Sequence, residues 1–355
     1  MWSVISGLAN VITTYVWYPL TCMLILGLPV VGIRYAVDRM IGSRVLAATK
    51  SHIRSQPDGS RHTVLITGGS KGIGKELALA YAGLNADVII VARSQEGLDA
   101  VAALAPSRIR PISADLGSQQ GIDAFLASPD LPPVLDTVVL NHVRGFWGHW
   151  IAHPDPVVTG WSGQPGQGGR DVWDLLSSLF AVNTVSYIAL ASALLPRLAR
   201  SSWSYGPSLV VVSSAAGVVG LPKVAPYAAT KHALHGFFES LGAHELPSAY
   251  PKVTLSIGVL GNIDTAANRE ATGGDIDHLD FLSPSATAAG IVDAVLSKRT
   301  LFFLPSSSLS PLYLFSRILP STIAYLSFYS IYSGTALPPQ PPPTPPSHTS
   351  DHHRH

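Results

Sequence analysis

The sequence predicts a doubly wound α/β domain in which seven parallel strands are covered by helices on both faces. Short runs rich in β-branched residues alternate with helical patterns, as in repeated strand-helix-strand units. These runs are apolar along nearly their whole length, as expected for strands buried on both faces of a sheet. The seven predicted strands are residues 62–67, 87–92, 108–113, 135–140, 208–213, 252–260 and 299–304.

The composition excludes some classes of function. The 355 residues have a formal net charge of +1, and 13% of them are charged, so there is no overall basic field of the kind that holds nucleic acid. The single cysteine, Cys22, lies in an apolar run and excludes an intramolecular disulfide. We expect Cys22 to pack against lipid or a neighbouring helix.

The N-terminal stretch, residues 1–33, is uncharged and predicts a single transmembrane helix as a membrane anchor. Its second half matches the about 20 apolar residues that cross a ~30 Å hydrocarbon core. A cleaved signal peptide and a buried hairpin are the alternatives, but the basic residues that usually begin a signal peptide are missing. Pro19 and Pro29 interrupt the run, which leaves a kink or a re-entrant dip open.

Basic residues follow the anchor and none precedes it. They lie in a predicted linker, residues 34–61, and are Arg34, Arg39, Arg44, Lys50 and Arg54 among others. The positive-inside rule therefore predicts that the α/β domain, residues 62–305, faces the cytosol.

The first predicted strand runs directly into a glycine-rich turn, GGSKGIG at 68–74, and an Ala- and Leu-rich helix follows. Glycines let the backbone approach a pyrophosphate, and a helix N-terminus offers it unpaired amides and a positive dipole end. The strand before and the helix after are the context of a dinucleotide site in a Rossmann-like fold. The predicted contacts from this turn are Gly68, Ser70, Lys71, Gly72, Ile73 and Gly74.

The residues after the next three strands predict NADP(H) as the cofactor. Arg93 stands where an acidic residue would bind the ribose of NAD, and a cation there suits a 2′-phosphate; a solvated arginine is the alternative. Lys71 adds a second positive charge nearby. Asp115 is predicted to accept from the adenine amino group, with Leu116 beside the ring. Asn141 is predicted to tie the fourth strand to neighbouring backbone or to contact the nicotinamide ribose.

Residues 143–170 are rich in Gly, Pro and Trp and are longer than an ordinary connection in a compact domain. We interpret them as a functional or mobile loop. Its three tryptophans either line an apolar pocket or belong to an insertion packed on the surface.

The predicted catalytic group combines Ser214, Tyr227 and Lys231. Ser214 follows the fifth strand, Tyr227 lies thirteen residues later, and Lys231 lies four residues beyond Tyr227 on the same helical face. A tyrosine of ordinary pKa ~10 exchanges protons poorly at neutral pH, so the ammonium of Lys231 is expected to favour its phenolate. Ser214 is expected to bind the substrate oxygen during hydride transfer. Asn183 is predicted to hold a water that extends the proton relay to Lys231.

Taken in order, these motifs resemble the short-chain dehydrogenase/reductase family over roughly residues 62–305. They are TGGSKGIG (67–74), Arg93, Asp115-Leu116, Asn141, Asn183, Ser214 and YAATK (227–231). LNHV (140–143) and VLGNIDT (259–265) are similar to the 11-beta-hydroxysteroid dehydrogenase type 1 subgroup, whose members also carry an N-terminal membrane anchor.

The resemblance implies contacts that the residues alone do not. Ile263 and Thr265 would contact the nicotinamide carboxamide, and Ser70 and Lys71 the adenosine phosphates; a homodimer and the endoplasmic reticulum membrane are further expectations. Two features of this chain depart from the subgroup. In the subgroup the basic residues precede the anchor and the catalytic domain is lumenal, whereas here they follow the anchor. Residues 143–170 are also expanded relative to the family.

The C-terminal region is predicted to lie outside the α/β domain. Residues 306–335 are apolar, with Arg317 and Pro320 near the middle, and suit a membrane-interfacial segment or a helix docked on the domain or on a partner. Residues 336–355 are Pro-rich and polar and are predicted to be disordered. Their histidines lack a structured ligand set, so no metal site is predicted.

The leading hypothesis is an NADP(H)-dependent oxidoreductase that interconverts a ketone and a secondary alcohol on a lipophilic substrate, steroid-like or another lipid, with Tyr227 as the acid and base. The anchor motivates the lipophilic substrate. One alternative is a 3-ketosphinganine-type reductase, although LNHV argues against it. Another is a catalytically silent membrane scaffold that binds nucleotide or lipid, against which the intact Ser214, Tyr227 and Lys231 argue.

Overall fold

In a computed structural model of the chain, the described residues are 50, 51, 53, 60–148, 150, 169–272 and 281–305. The predicted anchor at 1–33, nearly all of the basic linker, the apolar segment at 306–335 and the tail at 336–355 lie outside them. So does most of the 143–170 loop. The predictions for those segments are untouched by the structure.

Seven parallel strands form the predicted sheet. Their order is β3-β2-β1-β4-β5-β6-β7, and every neighbouring pair is parallel. The order reverses between β1 and β4, which opens a crevice at the carboxyl ends of the strands. The strands are β1 (Thr63–Thr67), β2 (Asp87–Ala92), β3 (Ile109–Ser113), β4 (Thr137–Leu140), β5 (Ser208–Ser214), β6 (Thr254–Leu260) and β7 (Leu301–Leu304).

The predicted strand ends need small corrections. Five strands begin one or two residues later than predicted, and β5 extends one residue further, to Ser214. The run of apolar residues extends beyond the residues that pair with the adjacent strand. Leu135, for example, is fully buried, but the pairing of β4 with β1 begins at Thr137.

Helices cover both faces of the sheet. They are α1 (Gly72–Gly83), α2 (Gln95–Ala102), α3 (Gln119–Leu126), α4 (Gly169–Phe180), α5 (Ser186–Ala199), α6 (Ala225–Ser240), α7 (Leu246–Ala249), α8 (Ala266–Thr272) and α9 (Pro284–Leu296). One core holds side chains of α1, α2 and α9, and the other holds those of α3, α5 and α6. Along β1, Val64 and Ile66 enter the first core and Leu65 enters the second, as the two-residue period of a strand requires.

Two helices are extended by wide, π-helical turns. The turn Ala181–Val185 joins α4 to α5, and the turn Leu241–Glu245 joins α6 to α7. Such turns inside helices occur frequently at functional sites. The first of them carries Asn183.

Among the described residues, one helix is long and apolar enough to cross a membrane by length and composition, namely Val172–Ala199. Half of its most apolar window is buried, and Tyr187, Leu190 and Leu194 are fully buried in the core with the sheet. We therefore interpret this helix as a core element of the domain.

Candidate active site

The glycine-rich turn crosses the carboxyl end of the sheet with no room for side chains. The N–H groups of Gly68 and Gly69 both donate to the carbonyl of Val91, at 2.7 and 3.2 Å. Gly68 has a φ of +71°, and a Cβ atom at Gly74 would lie 2.1 Å from the carbonyl oxygen of Gly68. The turn therefore needs glycine, and its bare backbone can approach a ligand closely.

The helix that follows the turn begins without a side-chain cap. Lys71 is the residue before α1, and its side chain makes no capping hydrogen bond. The first N–H groups of a helix have no partner within the helix, so they are open to an anion. Together with the tight glycine turn, this arrangement fits the pyrophosphate of a dinucleotide.

The residues predicted to contact the adenosine end lie side by side on neighbouring strands. Ala92 pairs with Ser113 at the carboxyl ends of β2 and β3, and the hydroxyl of Ser113 donates to the carbonyl of Arg93 at 3.2 Å. Arg93 and Asp115 are exposed, and Leu116 is buried. Lys71 is exposed as well, so the structure offers two uncovered cations at this edge of the sheet.

Asn141 takes the first of its two predicted roles. Its backbone N–H donates to the hydroxyl of Thr67 at 2.9 Å, and its side-chain amide donates to the carbonyl of Thr67 at 3.2 Å. These bonds tie the end of β4 to the end of β1. Asn141 also lines the central cavity, and its second predicted role, a contact with the nicotinamide ribose, stays a prediction.

Ser214, Tyr227 and Lys231 come together on one wall of that cavity. Ser214 ends β5 and forms a hydrogen bond with Tyr227. The oxygen of Ser214 also accepts from the N–H of Ala216 at 3.2 Å, which leaves the serine proton available for donation. Lys231, which is 2% exposed, donates through Nζ to the carbonyl of Val212 at 3.2 Å.

Burial sets the protonation of this group. It raises the pKa of Tyr227 to about 12, although the hydrogen bond with Ser214 acts in the opposite direction. It lowers the pKa of Lys231 to about 7. The sequence-based expectation that Lys231 favours the phenolate considered charge alone, whereas desolvation is the larger effect in this structure. At neutral pH Tyr227 is a phenol that carries its proton.

Asn183 is fully buried in the turn between α4 and α5. Its Oδ1 accepts from the N–H of Arg144 at 2.8 Å, and its Nδ2 donates to the carbonyl of Arg144 at 2.9 Å and to the hydroxyl of Thr230 at 3.2 Å. Asn183 thus holds the segment after β4 against α6. Its predicted role as a water holder stays a prediction.

The cavity has a volume of about 640 Å³, and its lining contains both polar and apolar residues. Ile263 and Thr265, the residues assigned to the nicotinamide by resemblance, line it, and the Thr265 methyl lies 3.5 Å from the position of a Cβ on Gly72. The apolar part of the lining, which we call the apolar end, consists of Val143, Phe146, Trp147, Leu221 and Val224, of which the last three pack in one cluster with Tyr227. Sequence reasoning missed the last two, which follow the catalytic strand in an apolar stretch.

The two segments that form the apolar end are joined to each other. The N–H of Gly148 donates to the carbonyl of Lys223 at 2.7 Å, and Lys223 Nζ lies 5.9 Å from the ring centre of Trp147. For Trp147, the structure therefore supports the pocket-lining alternative over the surface insertion.

A polar group that includes Tyr187, the ring nearest to Lys231, was also missed by sequence reasoning. His142, Ser186 and Tyr187 belong to no catalytic motif, and His142 appeared only as a departure in LNHV. The Nε2 of His142 lies 2.8 Å from the Ser186 hydroxyl, and the Tyr187 hydroxyl donates to the carbonyl of His142 at 2.6 Å. The one signal for this group in the sequence was His142, a single histidine directly after an apolar strand.

A family model described as "short chain dehydrogenase" matches residues 62–141 and 170–275 of this chain. The chain belongs to the short-chain dehydrogenase family. The predicted resemblance is therefore confirmed, and with it an oxidoreductase activity. The break in the match falls on the stretch that was predicted to be expanded, residues 143–170.

Individual members of the short-chain dehydrogenase family are similar over most of the chain. A hydroxysteroid 11-beta-dehydrogenase 1-like protein of Gallus gallus is 34% identical over 290 residues, which are 79% of this chain and 89% of the relative. This likeness confirms the predicted subgroup resemblance.

Solved structures agree on the fold. A short-chain dehydrogenase from Sphingobium yanoikuyae in complex with NADPH superposes with a TM-score of 0.57 and 20% identity, over 75% of this chain and 95% of that one. A short-chain dehydrogenase from Shigella flexneri complexed with NADP gives 0.53 and 24%, over 68% and 95%. The predicted fold class, a Rossmann-like doubly wound sheet of seven parallel strands, is confirmed.

Proposed function

We propose that this chain is an NADP(H)-dependent oxidoreductase that interconverts a ketone and a secondary alcohol on a lipophilic substrate. One observation carries the proposal. Tyr227, Ser214 and Lys231 line one cavity together with Ile73, which follows the glycine-rich turn, and with an apolar cluster that includes Trp147 and Leu221. A proton donor thus stands where a dinucleotide and an apolar ligand would meet.

The residues that would hold NADP(H) fit its chemistry. The pyrophosphate would lie on the bare turn and the first amides of α1, and the 2′-phosphate between the exposed cations Arg93 and Lys71. The remaining contacts would come from Gly68, Ser70, Gly72, Ile73, Gly74, Asp115, Leu116, Asn141, Tyr227, Lys231, Ile263 and Thr265. When bound, NADPH supplies the hydride. The NADP and NADPH of the two solved relatives support this choice of cofactor.

The chain's own residues provide the proton chemistry. Ser214 would donate a hydrogen bond to the substrate carbonyl oxygen. As the carbonyl carbon gains a hydride, Tyr227 would transfer its phenolic proton to the same oxygen, which completes the alcohol. The phenolate left on Tyr227 would be stabilised by the ammonium of Lys231 and reprotonated from solvent, with Asn183 supporting the relay. Alcohol oxidation reverses each transfer.

The apolar end of the cavity supports a lipophilic substrate. Phe146, Trp147 and Leu221 offer a surface that gains from covering an apolar molecule. The cavity volume of about 640 Å³ lies within the usual range for small-molecule sites. The name of the Gallus gallus relative adds support for a steroid-like or related lipid.

The membrane setting is part of the same proposal and rests on the sequence. The apolar residues 1–33 would anchor the chain in a membrane, for which we propose the endoplasmic reticulum, and would bring the cavity close to lipid-dissolved substrates. The basic residues from Arg34 to Arg54 favour a cytosolic domain. Homodimerisation remains a family expectation.

Turnover by the detergent-solubilised full chain tests the catalytic proposal. With NADPH and a panel of steroid, sphingoid and aryl ketones, Tyr227→Phe should reduce turnover by ~100-fold or more. It should still bind NADPH, with the loss of no more than the contact of the Tyr227 hydroxyl, and fluorescence titration measures this. Tyr250→Phe is the matched control and should keep full turnover, because Tyr250 precedes β6 and lies at the amino ends of the strands, away from the cavity.

The outcomes separate the alternatives. Full turnover by Tyr227→Phe would overturn the proposed mechanism. Turnover confined to sphingoid ketones would identify the 3-ketosphinganine-type reductase. Tight NADPH binding with no turnover on any ketone would favour the silent scaffold.

A further inference from the structure

We infer that Tyr187 is a positioning residue for Lys231, holding the ammonium group against the face of its ring while His142 fixes the ring in place. The inference rests on the proposed function, in which Lys231 serves Tyr227. It adds a residue on a different helix, outside the catalytic motif, to the proton-transfer apparatus.

Lys231 Nζ lies between two tyrosine rings. It is 5.3 Å from the ring centre of Tyr187 in α5 and 5.8 Å from that of Tyr227 in α6. Both distances are within the ~6 Å over which an aromatic face attracts a cation. The nearer ring belongs to Tyr187.

The surroundings of Lys231 give its charge little other support. Within the part of the chain that the structure describes, its Nζ makes one hydrogen bond, to Val212, and burial alone accounts for its lowered pKa. The titratable groups that face it are Tyr227, Tyr187 and His142. His235, one turn further along α6, is paired with Glu239. Besides the hydrogen bond to Val212, the aromatic faces of Tyr187 and Tyr227 are what can stabilise the charged form.

Tyr187 is rigidly held. It is fully buried, its hydroxyl donates to the carbonyl of His142 at 2.6 Å, and its ring lies 4.6 Å from the imidazole centre. Burial raises the pKa of Tyr187, so it stays a neutral phenol. Its ring can therefore serve as a fixed surface for the ammonium group.

The ring of His142 has a hydrogen-bond partner on each side. Its Nε2 lies 2.8 Å from the hydroxyl of Ser186, and its Nδ1 lies 2.8 Å from the hydroxyl of Thr67. Burial, and after it the charge of Lys231, lower the pKa of His142 to about 3, so the imidazole is neutral at pH 7. A neutral His142 supports Tyr187 without repelling Lys231.

The titration of Lys231 tests the inference directly. The chain has seven lysines, so ¹³C-labelling at lysine Cε gives few signals, and Lys231→Met identifies the one of interest. Tyr187→Phe keeps the ring and should leave the Lys231 pKa unchanged. Tyr187→Leu removes the ring and should lower that pKa by about one unit. Tyr187→pentafluorophenylalanine keeps the shape but reverses the charge of the ring face, and it should lower the pKa as much as Tyr187→Leu.

The fluorinated variant keeps the test decisive if Tyr187→Leu does not fold. The inference would be overturned if the pKa of Lys231 were the same in the fluorinated variant and in the unmodified chain. An equal shift in Tyr187→Phe would assign the effect to the hydroxyl and His142 instead of the ring. Because the signal is read without substrate, failure to find ketone turnover would refute the proposed function and leave this measurement valid. Where turnover is found, the pH dependence of kcat for alcohol oxidation should move to higher pH in the fluorinated variant.

Discussion

The side chain of Lys231 is almost fully buried, and its amino group lies within 6 Å of two tyrosine rings. Burial lowers its pKa from 10.5 to about 7. The unfolded chain therefore binds this proton more tightly, and the folded state loses stability as the pH falls from about 10.5 to 7. Lys231 is therefore needed for the proposed chemistry but lowers the stability of the fold.

Replacement of that residue should stabilise the cofactor-free protein. For Lys231→Met we expect the free energy of unfolding at pH 7 to rise by roughly 1–3 kcal/mol, because an apolar side chain of similar length has no charge to desolvate. Urea unfolding in detergent measures this difference. Lys252→Met, at an exposed position, should change little. A loss of stability in Lys231→Met would show that its charge is better supported than the contacts indicate.

Cofactor selectivity is also decided by single residues. Arg93→Asp should lower the preference for NADPH over NADH roughly tenfold to a hundredfold, since a hydrogen bond to a charged group contributes about 1.5–3 kcal/mol. The ratio of kcat/KM for the two cofactors measures the preference. Arg110→Asp, also exposed but further back along β3, is the control and should leave the ratio unchanged. If Arg93→Asp keeps the ratio as well, Lys71 or another group binds the 2′-phosphate.

At the scale of elements, α1 combines a crowded start with an open end. A methyl group at Gly74 would lie 2.1 Å from the carbonyl oxygen of Gly68, whereas one at Gly83 would meet nothing within 4 Å. Both glycines belong to the same helix. They provide a matched pair in which the substitution is identical and only the surroundings differ.

We expect Gly74→Ala to displace the glycine-rich turn and to weaken NADPH binding at least tenfold, and Gly83→Ala to bind NADPH normally. Alanine is favoured over glycine in a helix by about 1 kcal/mol, so Gly83→Ala should be as stable as the parent or slightly more so. Fluorescence titration with NADPH and thermal unfolding check both variants. Normal binding by Gly74→Ala would show that the turn is not where the pyrophosphate lies.

The elements were largely predictable from sequence because their causes are local. Apolar runs bounded by turn residues defined the strands, and the glycines between β1 and α1 defined the turn. Strand ends were less accurate, since pairing stops at the neighbour's end and not where apolar residues stop. His142 and Tyr187 could not be found in this way, because they are 45 residues apart and meet only when β4 and α5 pack together.

Among the described residues, folding keeps His62 and His142 uncharged, and these two histidines lie at opposite ends of the sheet. Burial lowers the pKa of His62 and of His142 to about 3. The Asp136 carboxylate lies 3.8 Å from His62 Nδ1, too far for a hydrogen bond, and does not offset burial. Because the unfolded chain protonates both rings near pH 6.5, the folded state loses stability as the pH falls below that value.

The free energy of unfolding should therefore fall with a slope that approaches ~2.7 kcal/mol per pH unit, about 1.36 for each histidine. Denaturant unfolding between about pH 5 and 7 measures it, a range chosen because Asp136, whose pKa burial raises, acts in the opposite direction at lower pH. His62→Gln should remove about half of the slope, and His232→Gln, at an exposed position, should not alter it. An unchanged slope in His62→Gln would mean that its ring is charged in the folded protein.

The orientation of the whole chain is open to a direct test. A glycosylation sequon engineered near Ser60 should remain unmodified in cells, since the basic residues after the apolar stretch favour the cytosol. A sequon engineered before Trp2 is the matched reporter for the other side and should be modified. The reverse pattern would place the catalytic domain in the lumen, as in the subgroup that the sequence resembles.

The hydrogen bond between Gly148 and Lys223 joins two segments that leave neighbouring strands, β4 and β5, at the same edge of the sheet. The groups that move protons are fixed elsewhere, on β5 and α6, which the sheet holds in register. The residues that line the pocket can therefore change in length and composition without any change in the residues that transfer protons. The stretch after Val143 is thus the place where substrate specificity can change while the reaction stays the same.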